Sequence, residues 1–128
     1  MKKLVLILFL LVALISCAEA TTIEQNEPQL ISATTGKTMM DDNDDIILVD
    51  VRTQSEYDEG HIEGAILLPL DTISLNAQKV LKDKSAIIIV YCRSGNRSAT
   101  AVDLLYELGY ANLYDMGGII YWPYGIVN

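Results

Sequence analysis

Cys92 ends an apolar run, Ile87-Ile88-Ile89-Val90-Tyr91, and is followed at once by Arg93, Ser94, Gly95, Asn96, Arg97 and Ser98. A thiol set among guanidinium groups, hydroxyls and a glycine stands in polar company, unlike a buried structural cysteine. The apolar run reads as a strand, and Ala99-Thr100-Ala101-Val102-Asp103-Leu104-Leu105 opens a helical pattern. Where a strand passes into a helix through a short loop, unpaired backbone N–H groups and the helix dipole converge and favour an anion. A thiol at that point ionises readily. Four residues separate Cys92 from Arg97. A loop this tight can curl its N–H groups around the sulfur, with the charges of Arg93 and Arg97 beside it. The spacing therefore predicts a nucleophilic cysteine in an anion cradle, able to attack a sulfur, phosphorus or arsenic centre.

Several elements have to hold that loop. Ile46-Ile47-Leu48-Val49-Asp50-Val51 and Ile87 to Tyr91 are continuous and rich in β-branched residues, the pattern of strands buried on both faces. Helical segments between such strands predict an open, mainly parallel α/β sheet with helices on both sides. Leu30-Ile31 reads as a first short strand and Ser32 as the cap of a helix from Ala33 to about Met40. Asp41 to Asp45 reads as an acidic, solvated turn. Thr53 to Asp58 is a short helix with Thr53 and Glu56 forming a capping box and Gly60 closing it. Ala65 to Leu68 is a short strand ended by Pro69, and Ile73 to Leu81 is helical. The helix after the cysteine loop starts near Arg97 or Ser98 and turns Ala101, Leu104, Leu105 and Leu108 toward the sheet, with Gly109 at its end. Leu113 to Met116 is the last strand, and Gly117-Gly118 is expected to turn the chain away. Asp50-Val51-Arg52 and Cys92 both fall at strand carboxyl ends, where open α/β sheets bind their ligands.

The 128 residues suffice for one domain. Met1-Lys2-Lys3 and the hydrophobes of Leu4 to Ile15 have the layout of a secretory signal. Leu14-Ile15-Ser16-Cys17 fits a lipoprotein signal, giving a leader over 1–16 and a lipidated Cys17, with Ala18 after it in the manner of outer-membrane lipoproteins. Ala18-Glu19-Ala20 equally fits ordinary cleavage after residue 20. Residues 17–29 then form a linker and residues 30–128 the domain. An exported protein, periplasmic or in the cell envelope and, on the lipoprotein reading, held by a lipid anchor, is the expectation. Cleavage before Cys17 removes Lys2 and Lys3, so 9 basic residues become 7 against 17 acidic ones and the formal charge goes from -8 to -10. Such a surface excludes nucleic acid as a partner. Cys92 is then the domain's one unmodified thiol, and a lone thiol retained in an oxidising compartment points to chemistry.

Asp50-Val51-Arg52-Thr53-Gln54-Ser55-Glu56-Tyr57-Asp58-Glu59-Gly60-His61-Ile62-Glu63-Gly64-Ala65, with Pro69 shortly after, resembles the signature of single-domain rhodaneses. The loop Cys92 to Ser98 resembles their active-site loop, and Gly117-Gly118 with Trp122 their C-terminal hallmark; the likeness runs from about Leu30 to Tyr124. It implies the rhodanese-like form of the sheet, with five strands. It also implies a thiosulfate sulfurtransferase-like enzyme in which Cys92 carries sulfur as a persulfide between an anionic donor such as thiosulfate and an acceptor, cyanide or a thiol. Backbone N–H groups of Arg93, Ser94, Gly95, Asn96, Arg97 and Ser98 would bind the persulfide, and Arg93 and Arg97 the donor's oxygens. No cofactor is implied, and no residues have metal-ligand spacing.

Asp50 and Arg52 are expected to pair at their strand end, and His61, the one histidine, to be structural support. Phosphatases and arsenate reductases of related architecture resemble a longer loop, with five residues before the arginine; here Ser98 stands in that place. A non-catalytic rhodanese-like carrier or binding module is the remaining alternative. The tail after Trp122 is shorter than the family's usual closing helix needs.

Overall fold

Residues 22–128 are described by the computed structural model. The signal segment, Cys17 and both cleavage positions lie outside the described residues, as does the first part of the linker.

The two β-branched runs form the middle of the sheet. β2 (Ile47–Asp50) and β4 (Ile87–Cys92) pair in parallel, with Asp50 opposite Tyr91. Their side chains alternate between two cores, which is why neither run shows a polar face. Val49, Ile88, Val90 and Cys92 point to one side, and Leu48, Ile89 and Tyr91 to the other. β1 (Gln29–Leu30), β3 (Ile66–Leu67) and β5 (Asn112–Gly118) complete a five-stranded sheet in the order β1-β5-β4-β2-β3, and every pairing among the described residues of the sheet is parallel.

Helices α1 (Ala33–Asp42) and α2 (Gln54–Glu59) cover the Leu48–Tyr91 face, through Met39, Met40 and Tyr57. Helices α3 (Ile73–Val80), which follows a 3₁₀ turn at Leu70–Thr72, and α4 (Asn96–Glu107) cover the other, through Ile73, Ala77, Ala101, Val102 and Leu105. So α2 leaves β2 across one face to reach β3, while α4 leaves β4 across the other to reach β5. β2 and β4 are neighbours whose connections depart in opposite directions. This topological switch point opens a crevice at their carboxyl ends, and Asp50 and Cys92 stand on its two sides.

Two local expectations are corrected and a third is extended. α1 runs through Asp42, so two of the acids expected in a turn lie in its last turn, where Asp41 pairs with Lys37 one turn back. On α4 the expected stripe faces the core, Ala101 and Leu105 buried and Leu104 and Leu108 half-buried against it, and Ser98 and Val102 extend the buried line. The inward face starts at Ser98 because that residue sits beneath the sulfur. Finally, Gly117-Gly118 does not turn the chain away. β5 continues through both glycines, opposite Tyr91 and Cys92, after a bulge at Val90/Tyr91. Gly117 takes up the bulge in the left-handed region, at φ +76°.

After β5 the chain makes a 3₁₀ turn (Ile119–Tyr121) and an extended tail instead of a closing helix. The tail is stitched back by two backbone hydrogen bonds of 2.8 Å between His61 and Val127. Among the described residues no helix is long and apolar enough to cross a membrane.

Candidate active site

Cys92 is the last residue of β4 and is 1% exposed. Four residues later, at Asn96, α4 begins. Gly95 makes the junction at φ +114°, a conformation glycine adopts without the Cβ penalty. It also supplies no side-chain cap, so the first-turn N–H groups of α4 remain available to an anion. The Gly95 N–H already donates to Sγ at 3.0 Å.

Ser98, fully buried, places Oγ 3.5 Å from Sγ and donates to the Gly95 carbonyl at 3.1 Å. Its single proton thus has two possible acceptors, and an ionised sulfur is the stronger one. Burial pushes the Cys92 thiol up; the Ser98 hydroxyl and the N–H groups of Ser98, Gly95 and Ser94 outweigh it, leaving the thiol below its ordinary value. The groups that bond the sulfur are therefore backbone N–H groups, as the tight spacing predicted, and the Ser98 hydroxyl, which it did not.

That gives a first test. Ser98→Ala removes one hydrogen bond to the thiolate, worth about 1.5–3 kcal/mol, or about 1–2 pKa units. The acid limb of the alkylation rate of Cys92 by iodoacetamide should move to higher pH by that amount. The Gly95 carbonyl keeps the Ala99 N–H at 3.2 Å, so the loop itself should persist. An unmoved limb would show that the hydroxyl does not tune the sulfur.

Across the crevice, Arg52 and Asp50 form a buried pair, with Arg52 Nη2 2.7 Å from Asp50 Oδ2 and Nε reaching both carboxylate oxygens at 3.0 Å. Arg52 also donates to the Gly60 carbonyl at 2.7 Å. The pair ties the end of β2 to the end of α2. The two-residue spacing made this contact legible in advance.

The Arg97 contact was not. Its guanidinium grips Glu56 of α2 in bidentate fashion, Nη1–Oε2 at 2.8 Å and Nη2–Oε1 at 2.9 Å. Glu56 is at once the N3 residue of the α2 capping box, accepting the Thr53 N–H at 2.9 Å. One carboxylate thus joins the first turn of α2 to the first turn of α4 across the switch point. Arg97 first, then the Thr53 N–H and hydroxyl, hold the Glu56 carboxyl down at about 2, against a desolvation that would raise it.

A folded-state value below the ordinary 4.5 means that this stabilisation is present above that pH and is lost as pH falls toward about 2. With solvent screening of the half-buried pair, about 1–2 kcal/mol is expected. Urea midpoints should therefore favour wild type over Glu56→Gln near neutrality, and the difference should shrink steadily as pH falls from the ordinary value toward about 2. A gap that does not shrink over that range would mean the ion pair is not its source.

Arg93, Ser94 and Asn96 are exposed at the rim, and Arg93 has no ion-pair partner among the described residues. His61 is turned to other work: it stacks on Tyr57 at 3.7 Å, its Nδ1 is 2.9 Å from the Tyr57 carbonyl, and its backbone carries the tail. Trp122 packs on the α1–α2 core and meets Tyr124 edge-on at 4.8 Å. Two clefts flank the loop. One of about 350 Å³ is lined by Val51 to Thr53, Pro69 to Asp71 and Arg97. The other, of about 700 Å³, runs between Leu30–Thr34 and Ser94–Gly95, with Met116 to Gly118 and Tyr121. Among the described residues no group of His, Cys, Asp and Glu could hold a metal ion.

The family model of the Rhodanese-like domain matches residues 32–122. The chain belongs to the rhodanese-like family. A sulfurtransferase of Allochromatium vinosum is 39% identical over 82 residues, 63% of this chain and 75% of that protein. The thiosulfate sulfurtransferase PspE of Escherichia coli is 34% identical over 71 residues, 56% of this chain and 68% of that protein. A solved Escherichia coli rhodanese with anions superposes with a TM-score of 0.61 at 30% identity, covering 65% of this chain and 98% of that one. The rhodanese-like domain here is thus of the kind found in sulfurtransferases.

Proposed function

We propose that this rhodanese-like protein transfers sulfane sulfur from a donor such as thiosulfate to a thiophilic acceptor, cyanide in an assay or a thiol, through a persulfide on Cys92. The observation that carries the reading is a buried thiol, lowered by hydroxyl and N–H donors, at the uncapped N-terminus of α4. The Cys92 thiolate attacks the outer sulfur of thiosulfate. A Cys92 S–S bond forms, the donor's S–S bond breaks, and its electron pair leaves on sulfite. The terminal persulfide sulfur carries the negative charge, and the N–H groups of Ser94 to Ser98 are its ligands. Cyanide then attacks that sulfur, thiocyanate departs and the thiolate returns. Neither step needs a proton from His61. The sulfurtransferase relatives, and the rhodanese solved with anions, support this assignment.

Incubation with thiosulfate should add the mass of one sulfur atom to the Cys92 peptide, and cyanide should remove it with release of thiocyanate. An unmodified peptide under turnover conditions would refute the persulfide. The reading extends to an exported protein, periplasmic or lipid-anchored. Acyl mass on Cys17 in the mature N-terminal peptide is the result expected of the anchored form, and an unmodified Thr21 N-terminus would exclude it.

A further inference from the structure

The crevice holds more basic side chains than free positive charge. Arg52 is paired with Asp50 and Arg97 with Glu56, both in good hydrogen-bond geometry. Of the guanidinium groups around the loop, Arg93 alone has no carboxylate partner among the described residues. Asp71 adds a carboxylate to the cleft that Arg97 lines, and the chain as a whole carries -8. A dianion entering between α2 and α4 therefore meets one unpaired positive group in an acidic field.

We propose that Glu56 is a positioning and specificity-determining residue: it neutralises Arg97 and tunes the site to sulfane sulfur on neutral or singly charged carriers, organic persulfides, over the thiosulfate dianion. The proposal rests on the sulfur-transfer reading above and names its donor class. The chemistry balances for such a donor. The Cys92 thiolate attacks the terminal sulfur of R–S–SH, a new S–S bond forms at Cys92, and the donor's S–S bond breaks with its electron pair on the R–S sulfur. The proton of the terminal sulfur passes to that leaving thiolate, giving R–SH and the Cys92 persulfide anion.

Glutamine at the N3 position keeps a capping box, so Glu56→Gln removes charge while preserving shape. The test is single-turnover loading of Cys92, read by mass spectrometry, with thiosulfate and with 2-hydroxyethyl persulfide as donors. Glu56→Gln should lower the half-saturating thiosulfate concentration by about fivefold or more, the effect of one uncovered charge. Loading from the organic persulfide should stay within about twofold, since a carrier of little charge gains little from that uncovered group. Thr53→Ala, which weakens the same helix cap without touching charge, should lower the melting temperature and leave the ratio of the two donors unchanged. A donor ratio unmoved by Glu56→Gln, or moved equally by Thr53→Ala, overturns the proposal while the sulfur-transfer reading stands. Loading of wild-type Cys92 by neither donor overturns both.

Discussion

Cys92→Ala should abolish sulfur transfer, with a loss of more than about 10³-fold in turnover and no sulfur added to the protein by any donor. In a double-displacement route every sulfur atom passes through the thiolate, so no neighbouring group can substitute. Ser98 has a hydroxyl 3.5 Å away, but it lacks the ionisation and softness that sulfur chemistry requires. The variant should still fold. The sulfur is a small buried group at the edge of the α3–α4 core, and replacing it by a methyl hydrogen costs on the order of 1 kcal/mol. Thiocyanate formation from thiosulfate and cyanide, measured beside the melting temperature of each protein, separates the two effects. Equal turnover in wild type and variant would remove Cys92 from the reaction, whereas no turnover in wild type together with no sulfur on Cys92 would leave the domain a binding module.

Much of this site is legible in the sequence because it is local. A strand that stops at Cys92, a glycine at the left-handed junction and a helix that starts directly after it are adjacent in the chain. The Asp50–Arg52 pair spans two residues, and the Thr53–Glu56 capping box three. The two-sided burial of β2 and β4 shows in their unbroken apolar runs, and with it the parallel sheet. What escapes the sequence is what the sheet brings together. Glu56 and Arg97 lie 41 residues apart and meet only because β2 and β4 are neighbours whose helices leave by opposite faces. The capping role of Glu56 was visible; its second role needed the strand order. Ser98 was legible as a loop N–H, yet its hydroxyl matters because α4 begins early enough to turn that side chain inward. The paired glycines misled for the same reason: a glycine doublet is a turn signal locally, and only the partner strand reveals why these two are small.

Gly118→Ala should disable the site from outside it. The backbone of Gly118 is ordinary extended strand, φ -104° and ψ 141°, so alanine's conformational preferences are satisfied there. The obstacle is space. A Cβ at Gly118 would sit 2.3 Å from the Arg93 carbonyl oxygen and 2.7 Å from the Ser94 Cα, both backbone atoms with no rotamer to change. Either β5 withdraws from β4 at the Cys92–Gly118 register position, or the loop moves outward and carries the Ser94 and Gly95 N–H groups off the sulfur. Overpacking of this kind costs about 1–3 kcal/mol, and a displacement of about 1 Å in reacting groups costs on the order of 10²-fold in rate. The neighbouring glycine supplies the control. A Cβ at Gly117 meets nothing within 4 Å, but its φ of +76° is unfavourable to alanine. Gly117→Ala should therefore lose about 1–2 kcal/mol of stability through backbone strain and keep the alkylation profile of Cys92. Gly118→Ala should raise the pH at which Cys92 becomes reactive, because the donors that hold its thiolate have moved. Unchanged reactivity in Gly118→Ala would mean that β5 yields while the loop holds its shape, and the cradle would then be set by α4 alone.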